Sequence, residues 1–326
     1  MRCLIAFTVL TAALVASAPA APPESAPAEP KFIDDDELYD NFFDKLEALA
    51  KGKKTLAHKD LLAKMKPGRA NVAPSKPGAK ALSPEEVYKT AVKSVFVVGS
   101  LYPEADGFWE VGTYATAWAA AADGVLVTNW HVFTDLEKDE AFGACDRDGN
   151  VYPVTDFLGG DKTADVAVFR VAAKGLTPLP VSIGYAEVGS WVGAISHPGD
   201  LFYLYTQGTV TRYSTNKTDD GQRERWMGLT AEFASGSSGA PVLNKCGAVV
   251  GMSASTISID AFDEPEKVQN PARRVKARRA DPPKGEKKDD KPRPPEKPEP
   301  NPKGSPQQMV VKMAVPGPEL LKWLGK

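Results

Sequence analysis

The sequence predicts an all-β barrel or sandwich between about Ser94 and Ser255. Short runs rich in β-branched residues recur there, with turn pairs such as Asp123-Gly124 and Asp148-Gly149 between some of them. No helical stretch long enough for a crossover between parallel strands separates the runs, which argues against βαβ units. The predicted strands are SVFVVGSL, TYATAWAA, GVLVTNW, ADVAVFRV, WVGAIS, QGTVTRY, APVL and GAVVGMSAS.

The overall composition is that of a globular chain without a strong charge bias. Its 326 residues allow one large domain with appendages, and 42% hydrophobic with 25% charged residues are ordinary values. The 40 basic residues nearly balance the 42 acidic ones, and no basic face interleaved with aromatic residues is present. We therefore expect no nucleic-acid partner.

The first twenty residues predict a signal peptide. Arg2 supplies the positive start, Leu4 to Val15 form an apolar core, and Ala18-Pro19-Ala20 resembles a cleavage site. The mature protein is thus expected to be exported, to the periplasm or beyond the cell. Because the apolar run is shorter than the roughly 20 residues of a spanning helix, we expect no stable transmembrane anchor. An uncleaved N-terminal anchor is the alternative.

Residues 21–82 are predicted to be a flexible and helical extension that ends in a linker. Residues 21–31 are a Pro/Ala/Glu-rich spacer, and 66–82 form a Pro/Gly/Lys linker. Between them, residues 32–65 predict one or two amphipathic helices, which dock on the main domain, fray in solution, or act as a partner-binding or inhibitory segment. The apolar residues at helical spacing are Leu38, Phe42, Phe43, Leu46 and Leu49.

The main domain is predicted to span residues 83–326. Its start is marked by Ser83-Pro84-Glu85-Glu86, a helix-capping pattern. Residues 262–307 are mixed in charge and rich in proline, which predicts a disordered insertion. Order is expected to return with a strand at Gln308–Val315 and a terminal helix at Pro318–Leu324.

The cysteines and histidines predict no metal site and no cofactor. Cys3 would leave with the signal peptide, and Cys145 and Cys246 are far apart in sequence. A disulfide between those two is open in an oxidising compartment. The short Cys and His spacings that bring several ligands to one metal ion are missing.

His131 is the histidine best placed for chemistry. It follows the apolar run Val125–Trp130, so it is expected at the end of a buried strand, where a rigid backbone can orient a side chain. His58 has Lys and Leu neighbours and is predicted at the surface. His197 precedes Pro198-Gly199 and is predicted to make a structural hydrogen bond in a turn.

Asp165 and Ser238 complete the groups that nucleophilic acyl transfer requires. Asp165 precedes an apolar strand, where a buried carboxylate needs a partner such as His131; a solvated turn aspartate is the alternative. Glycines flank Ser238 within Gly236–Val242, so the backbone N–H groups of Gly236 and Ser238 are predicted to converge as an oxyanion hole.

The order of these residues excludes two other hydrolase classes. Histidine, aspartate and serine follow one another here, whereas α/β-hydrolases run Ser, Asp or Glu, His and the subtilisin type runs Asp, His, Ser. The serine segment also lacks the last glycine of the G-x-S-x-G elbow, since Ala240 stands there. A lipase or esterase of the hydrolase fold is therefore disfavoured.

These motifs resemble the trypsin-like superfamily, and within it the bacterial HtrA-like branch. Thr128–Val132 is similar to that branch's TNxHV, Ala164–Val168 to its D[IL]AV, and Gly236–Val242 to its GNSGGPL. The resemblance runs from about Pro84 to Ser255 and resumes at Val311–Pro316, similar to a closing FAVP strand. It implies two six-stranded β-barrels, a trypsin-like double barrel with the triad in the cleft between them, here with a short C-terminal helix and an N-terminal helical extension.

The sequence departs from the HtrA-like pattern in two respects. Ser237 and Ala240 replace a common Asn and Gly, changes that the retained flanking glycines are expected to tolerate. We expect no PDZ-like domain after the protease domain. Peptide-activated regulation and the cage assemblies of that branch are accordingly not carried over, and no oligomeric state is predicted.

The resemblance also suggests residues that bind substrate. Glu232 lies six positions before Ser238, where trypsin carries the acid that recognises Lys or Arg; a local salt bridge or a solvated position is the alternative. The basic cluster Arg273–Arg279 could attract acidic substrates or an anionic surface, or remain a solvated loop. The strand expected to pair with the substrate backbone contains Ser253, Ala254, Ser255 and Thr256.

Together these observations predict a serine endopeptidase that acts on protein or peptide substrates through an acyl-enzyme. Ser238 attacks, His131 serves as base and then acid, and Asp165 orients His131. The alternative is a catalytically silent two-barrel protein that binds peptides or surfaces.

Overall fold

The structure, a computed structural model, describes residues 29–30, 32–134, 140–218, 221–260 and 307–325. The chain divides into two units, Met1–Ile33 and Asp34–Lys326, and the described residues of the first unit have no regular secondary structure. No helix in the described ranges is long and apolar enough to cross a membrane. The predicted signal peptide, residues 21–28 of the spacer and the insertion up to residue 306, with its basic cluster, lie outside the described residues.

Within the described ranges, twelve strands form two closed antiparallel barrels of six strands each. The first barrel closes through the pairing of Val97 with Cys145. Its strands are β1 (Val95–Pro103), β2 (Trp109–Ala121), β3 (Val125–Thr128), β4 (Ala141–Cys145), β5 (Val151–Asp161) and β6 (Val166–Val171), in the order β1-β2-β3-β6-β5-β4. Its interior is filled by large apolar side chains that include Phe96, Leu126 and Phe169.

The second barrel closes through the pairing of Val242 with Ala194. Its strands are β7 (Trp191–Ser196), β8 (Leu204–Lys217), β9 (Arg223–Leu229), β10 (Pro241–Leu243), β11 (Val249–Asp260) and β12 (Gln307–Pro316), in the order β10-β11-β12-β9-β8-β7. A smaller apolar core that includes Met227 and Val250 lies inside it. The predicted all-β fold with two six-stranded barrels is thus confirmed.

Three strands have no counterpart in the sequence-based prediction, and each carries residues that obscure a strand pattern. The β5 strand contains Pro153 and two glycines, and β9 begins with the charged residues RER. The β4 strand is short and contains Gly143, where a Cβ atom would lie 2.7 Å from Leu46 Cδ1. The glycine is therefore needed by a helix that packs on this strand.

The predicted helices are confirmed as α1 (Asp35–Lys51), α2 (His58–Lys64), α3 (Pro84–Ala91) and α4 (Gly317–Leu324). The α1 helix begins after Asp34, whose side chain accepts the N–H of Glu37 at 3.0 Å. Its apolar face buries Phe42, Phe43 and Leu46, and the helix contacts β1, β4 and β5. The docked alternative for the N-terminal helices is the one that the structure shows. The α3 helix starts with the predicted capping box of Ser83 and Glu86.

The predicted linker at 66–82 contains no helix or strand, but hydrogen bonds tie its first half to the barrels. Gly68 forms an isolated bridge with Gly160 of β5. The N–H groups of Ala70 and Val72 donate to the carbonyl oxygens of Trp323 and Leu324 in α4, at 2.8 and 2.7 Å. This half of the linker is part of the folded domain.

Two expectations about single residues are resolved by the structure. Cys145 and Cys246 are free thiols, so the disulfide alternative is not realised. Burial raises the pKa of the Cys145 thiol to about 12. The prediction that His58 lies at the surface is wrong, because the side chain is buried with its ring centroid 6.0 Å from that of Phe142.

Candidate active site

The structure brings His131, Asp165 and Ser238 together between the two barrels. Nδ1 of His131 lies 2.9 Å from Oδ2 and 3.1 Å from Oδ1 of Asp165. On the other edge of the ring, Nε2 lies 3.0 Å from Oγ of Ser238. A proton on Nδ1, facing the carboxylate, leaves Nε2 free to accept the hydroxyl hydrogen of Ser238. The arrangement therefore links a hydroxyl, an imidazole and a carboxylate in one hydrogen-bonded line.

His131 is held at the end of a fully buried strand. It lies in a short 3-10 helix, Trp130–Phe133, that follows β3 after Asn129. Its backbone N–H donates to Oδ1 of Asp165 at 3.1 Å, in addition to the contact of its ring. The carboxylate thus fixes both the main chain and the side chain of the histidine.

Asp165 adopts an uncommon backbone conformation with φ at 54°. The left-handed region costs a non-glycine residue about 1–2 kcal/mol, so other contacts must hold it there. The side-chain amide of Asn129, which is fully buried, donates to the Asp165 carbonyl at 2.9 Å. Sequence reasoning gave Asn129 no role of its own, although it stands inside the TNxHV-like motif.

The glycines around Ser238 are required by the backbone, as predicted. Gly236 and Gly239 have φ angles of 91° and 87°, which glycine adopts readily. A Cβ atom at Gly236 would lie 2.2 Å from the carbonyl oxygen of His197, and one at Gly239 would lie 2.1 Å from that of Thr116. Neither position can take a side chain without moving the backbone.

Side-chain and backbone donors hold the carbonyl groups of residues 235–240, here called the nucleophile turn. The carbonyl oxygen of Ser235 accepts the N–H of Gly199 at 3.1 Å, and that of Ser237 accepts the hydroxyl of Ser253 at 2.5 Å. In a trans peptide the N–H points away from the carbonyl of the same peptide plane. The N–H groups of Gly236 and Ser238 therefore point away from these donors. In the part of the chain that the structure describes, neither N–H has a hydrogen-bond partner.

Thr116 connects the nucleophile turn to the first barrel. This fully buried residue of β2 donates its hydroxyl to the carbonyl of Gly236 at 3.0 Å. Its backbone N–H donates to the carbonyl of Ser238 at 2.8 Å. One residue thus fixes two peptide groups across the barrel boundary. Sequence reasoning missed it, since a threonine within an alternating strand carries no sign of a distant partner.

Of the four residues predicted to pair with substrate, Ser253 differs from the other three in its burial and hydrogen bonding. Ser253 is fully buried, and its hydroxyl and both backbone groups are bonded to the nucleophile turn, which leaves none of them for a substrate. Ala254 is half-buried, whereas Ser255 and Thr256 are exposed. Ala254 and Ser255 line a cavity of about 440 Å³ beside the triad. The other residues around that cavity include His131, Asp165, Trp130 and Trp226.

Glu232 is exposed, with its carboxylate 3.0 Å from Nζ of Lys312. Lys312 extends from β12, is largely buried and donates to the carbonyl oxygen of Phe233 at 2.6 Å. The salt-bridge alternative for Glu232 is thus the one that the structure shows. A cation that approached Glu232 would meet the Lys312 ammonium, which opposes the recognition of Lys or Arg.

Among the described residues, no group of three or more His, Cys, Asp or Glu side chains is arranged to hold a metal ion.

Comparisons with known proteins find similarity over part of the chain. Residues 115–252 match the family model described as a trypsin-like peptidase domain. The chain is 31% identical over 144 residues to a protein of Chlamydia pneumoniae named "Probable periplasmic serine endoprotease DegP-like". The aligned region covers 44% of this chain and 29% of that protein. It is 30% identical over 139 residues to "Serine endoprotease DegS" of Haemophilus influenzae, covering 42% and 39%. The chain spans less than half of either relative.

A solved structure is also similar, at lower identity. It is the "Crystal structure of the serine endoprotease from Yersinia pestis", with 22% identity, a TM-score of 0.44, and coverage of 55% of this chain and 59% of that one. The similarity to a trypsin-like peptidase domain is thus confined to residues 115–252, and the similar curated proteins include DegP-like and DegS serine endoproteases.

Proposed function

We propose that the protein is an exported serine endopeptidase in which His131, Asp165 and Ser238 are the catalytic triad. The hydrogen-bonded line from the Asp165 carboxylate through the imidazole to the Ser238 hydroxyl is the observation that carries the proposal. A serine hydroxyl is a weak nucleophile, and a base within hydrogen-bond distance removes its proton as it attacks. The match to a trypsin-like peptidase domain supports the same role for this region.

The reaction follows from the placement of the three side chains. Ser238 Oγ attacks the scissile carbonyl carbon while Nε2 of His131 takes the hydroxyl proton. Asp165 stabilises the imidazolium that forms, and His131 then gives the proton to the leaving amine. Water activated by the same imidazole releases the acyl group and regenerates Ser238. The residues themselves supply each proton transfer, and no cofactor enters the scheme.

The N–H groups of Gly236 and Ser238 are proposed as the oxyanion hole. Charge develops on the carbonyl oxygen when the tetrahedral intermediate forms, and two preorganised donors stabilise it. The anchoring of the Ser235 and Ser237 carbonyls, which directs both N–H groups away from the donors Gly199 and Ser253, supports this assignment. Loss of a single such donor typically costs about 10²–10³ in kcat.

The proposed substrates are extended protein or peptide segments that bind beside the triad. Ala254, Ser255 and Thr256 lie on β11, whose backbone could pair with a substrate strand. The adjoining cavity is lined by Trp130 and Trp226 and also by the charged residues Lys162 and Glu224, which favours a substrate side chain that combines an apolar surface with a polar group. Given the Lys312 contact described above, we do not propose Glu232 as a site for basic side chains.

Export is proposed from the predicted signal peptide, residues 1–20, and from the name of the Chlamydia relative, which describes that protein as periplasmic. Secretion of the full chain in a bacterial host, followed by N-terminal sequencing of the mature protein, tests it. Cleavage after about Ala20 is expected; a full-length product retained in the cytoplasm contradicts it.

The activity is tested with the mature protein, a fluorophosphonate probe and unfolded casein, alongside Ser238→Ala. We expect covalent labelling and casein cleavage by the wild type, and neither by the variant. His131→Ala should lose casein cleavage while retaining the Ser238 hydroxyl, which separates activation of the serine from its presence. If the wild type labels no more than Ser238→Ala and casein stays intact, the enzyme proposal fails, and the silent binding module becomes the better description.

A further inference from the structure

The loop after β7, residues His197–Tyr203, packs directly against the nucleophile turn. The N–H of Gly199 is the donor that holds the carbonyl of Ser235, 3.1 Å away. The carbonyl oxygen of His197 lies so near Gly236 that a Cβ atom there would be 2.2 Å from it. The 197–203 loop therefore sets the plane of the peptide between Ser235 and Gly236. The direction of the Gly236 N–H depends on that plane.

Two non-glycine residues of this loop, Asp200 and Tyr203, have an unfavourable backbone conformation. Gly199, Asp200 and Tyr203 have φ angles of 53°, 65° and 59°. The left-handed region is rarely adopted by residues such as aspartate and tyrosine, and such conformations persist only where the surroundings enforce them. The loop is thus expected to relax if its supporting contacts are removed.

Three acceptors support the loop through its backbone N–H groups. Nδ1 of His197, within the loop itself, accepts the N–H of Tyr203 at 3.0 Å. The Tyr114 hydroxyl, from β2 of the first barrel, accepts the N–H of Asp200 at 3.1 Å. The third acceptor is Oδ1 of Asp35, the first residue of α1, which takes the N–H of Phe202 at 2.9 Å.

Asp35 can act as a fixed support because α1 is anchored on the first barrel. Its Phe42 ring fills the space above Gly99 of β1, and Leu46 fills the space above Gly143 of β4. Farther along, Asn41 Nδ2 donates to the carbonyl of Gly149 at 2.9 Å. The helix is therefore fixed on the first barrel and, through Asp35, contacts a strained loop of the second barrel.

We propose that Asp35 is a positioning residue for the oxyanion hole. It holds the 197–203 loop by its contact with Phe202, the loop holds Ser235 through Gly199, and the Gly236 N–H is thereby aimed at the oxyanion. This inference rests on the proposed function. It makes the α1 helix, which precedes the region matching the peptidase family, a working part of the active site.

The test compares Asp35→Ala with Asp36→Ala, its exposed neighbour in the same helical turn. Both variants remove one negative charge near the helix N-terminus, so they lose the same favourable interaction with the helix dipole. Only Asp35→Ala removes the contact to Phe202. Asp35→Asn, which keeps an acceptor oxygen, is the rescue variant. The readouts are the second-order rate constant for fluorophosphonate labelling, kcat and KM for a casein-derived fluorogenic peptide, and the affinity for a peptide boronic acid.

For Asp35→Ala we expect the labelling rate constant and kcat to fall on the order of tenfold, as for the loss of a charge-assisted hydrogen bond. Affinity for the boronic acid, whose adduct carries the oxyanion, should fall in parallel while KM changes less than about twofold. Asp36→Ala should match the wild type, and Asp35→Asn should recover most of the loss.

Tyr114→Phe provides a second variant, because it removes the acceptor for Asp200 from a different element. It should reproduce the kcat loss even if Asp35→Ala folds poorly. Equal labelling rates for Asp35→Ala, Tyr114→Phe and Asp36→Ala would overturn the inference while leaving the proposed function intact. A wild type that does not label would instead refute the proposed function itself.

Discussion

The buried imidazole of His197 predicts a measurable dependence of stability on pH. His197 is fully buried, and this burial lowers its pKa from 6.5 to about 3. In the unfolded chain the imidazole binds a proton below about pH 6.5, whereas the folded protein keeps it neutral down to about pH 3. Protonation therefore favours the unfolded state as the pH falls through this range. Stability from this group is complete above about pH 7 and decreases below it.

The size of the effect follows from the two pKa values. Linkage between them gives a loss of about 2 kcal/mol in the free energy of unfolding between about pH 8 and pH 5. The loss reaches about 4 kcal/mol at pH 3 and approaches about 5 kcal/mol at lower pH, since each unit of pKa difference corresponds to about 1.4 kcal/mol.

The assay is urea unfolding of the wild type and of His197→Gln at about pH 8 and about pH 5. Glutamine does not titrate, and its carbonyl oxygen can accept the N–H of Tyr203. Carboxylates and other histidines titrate in both proteins, so their contributions cancel when the two pH dependences are subtracted. The wild type should lose about 2 kcal/mol more than the variant between the two pH values. Equal losses in the two proteins would refute the reasoning.

Three substitutions near the triad give further predictions. Asn129→Ala should lower kcat by about tenfold to a hundredfold with little change in KM, because the Asp165 backbone can then relax away from its positive φ. Steady-state kinetics check this, and an unchanged kcat contradicts it. Thr116→Val should lower the free energy of unfolding by about 1–2 kcal/mol and also lower kcat, because it removes the hydroxyl that holds the carbonyl of Gly236. Urea unfolding and steady-state kinetics check this, and a kcat equal to that of the wild type would deny Thr116 this role. Glu232→Gln should leave the ratio of cleavage after basic and apolar residues unchanged in a peptide library, and a selective loss after Lys or Arg would restore Glu232 as a specificity residue.

The local features of the site could be predicted from sequence because each has a local cause. A glycine on either side of Ser238 reflects a backbone with positive φ, which few other residues adopt. The run before His131 predicts a buried strand, and the strand indeed ends just before the histidine. The order of the three residues then restricts the possible folds.

The contacts that position the site could not be predicted in this way, because their partners are far apart in the chain. Thr116 lies 120 residues from Gly236, and Asp35 lies 167 residues from Phe202. A threonine in a strand and an aspartate in a first helical turn both have ordinary local explanations. Only the barrel topology reveals that each also accepts or donates a hydrogen bond at or beside the candidate active site.

The same contacts suggest why the N-terminal helix and the two barrels form one folded domain. Thr116 and Tyr114 reach from β2 to the second barrel, and Asp35 does so from α1. All three bonds end on the nucleophile turn or on the loop that supports it. The backbone there is strained at Asp200 and Tyr203, because a positive φ in a non-glycine residue must be enforced by surrounding contacts. The geometry at Ser238 therefore depends on the assembly of the first barrel, its docked helix and the second barrel. Because of this dependence, loss of any one of the three hydrogen bonds should lower the proposed catalytic rate before it unfolds the protein.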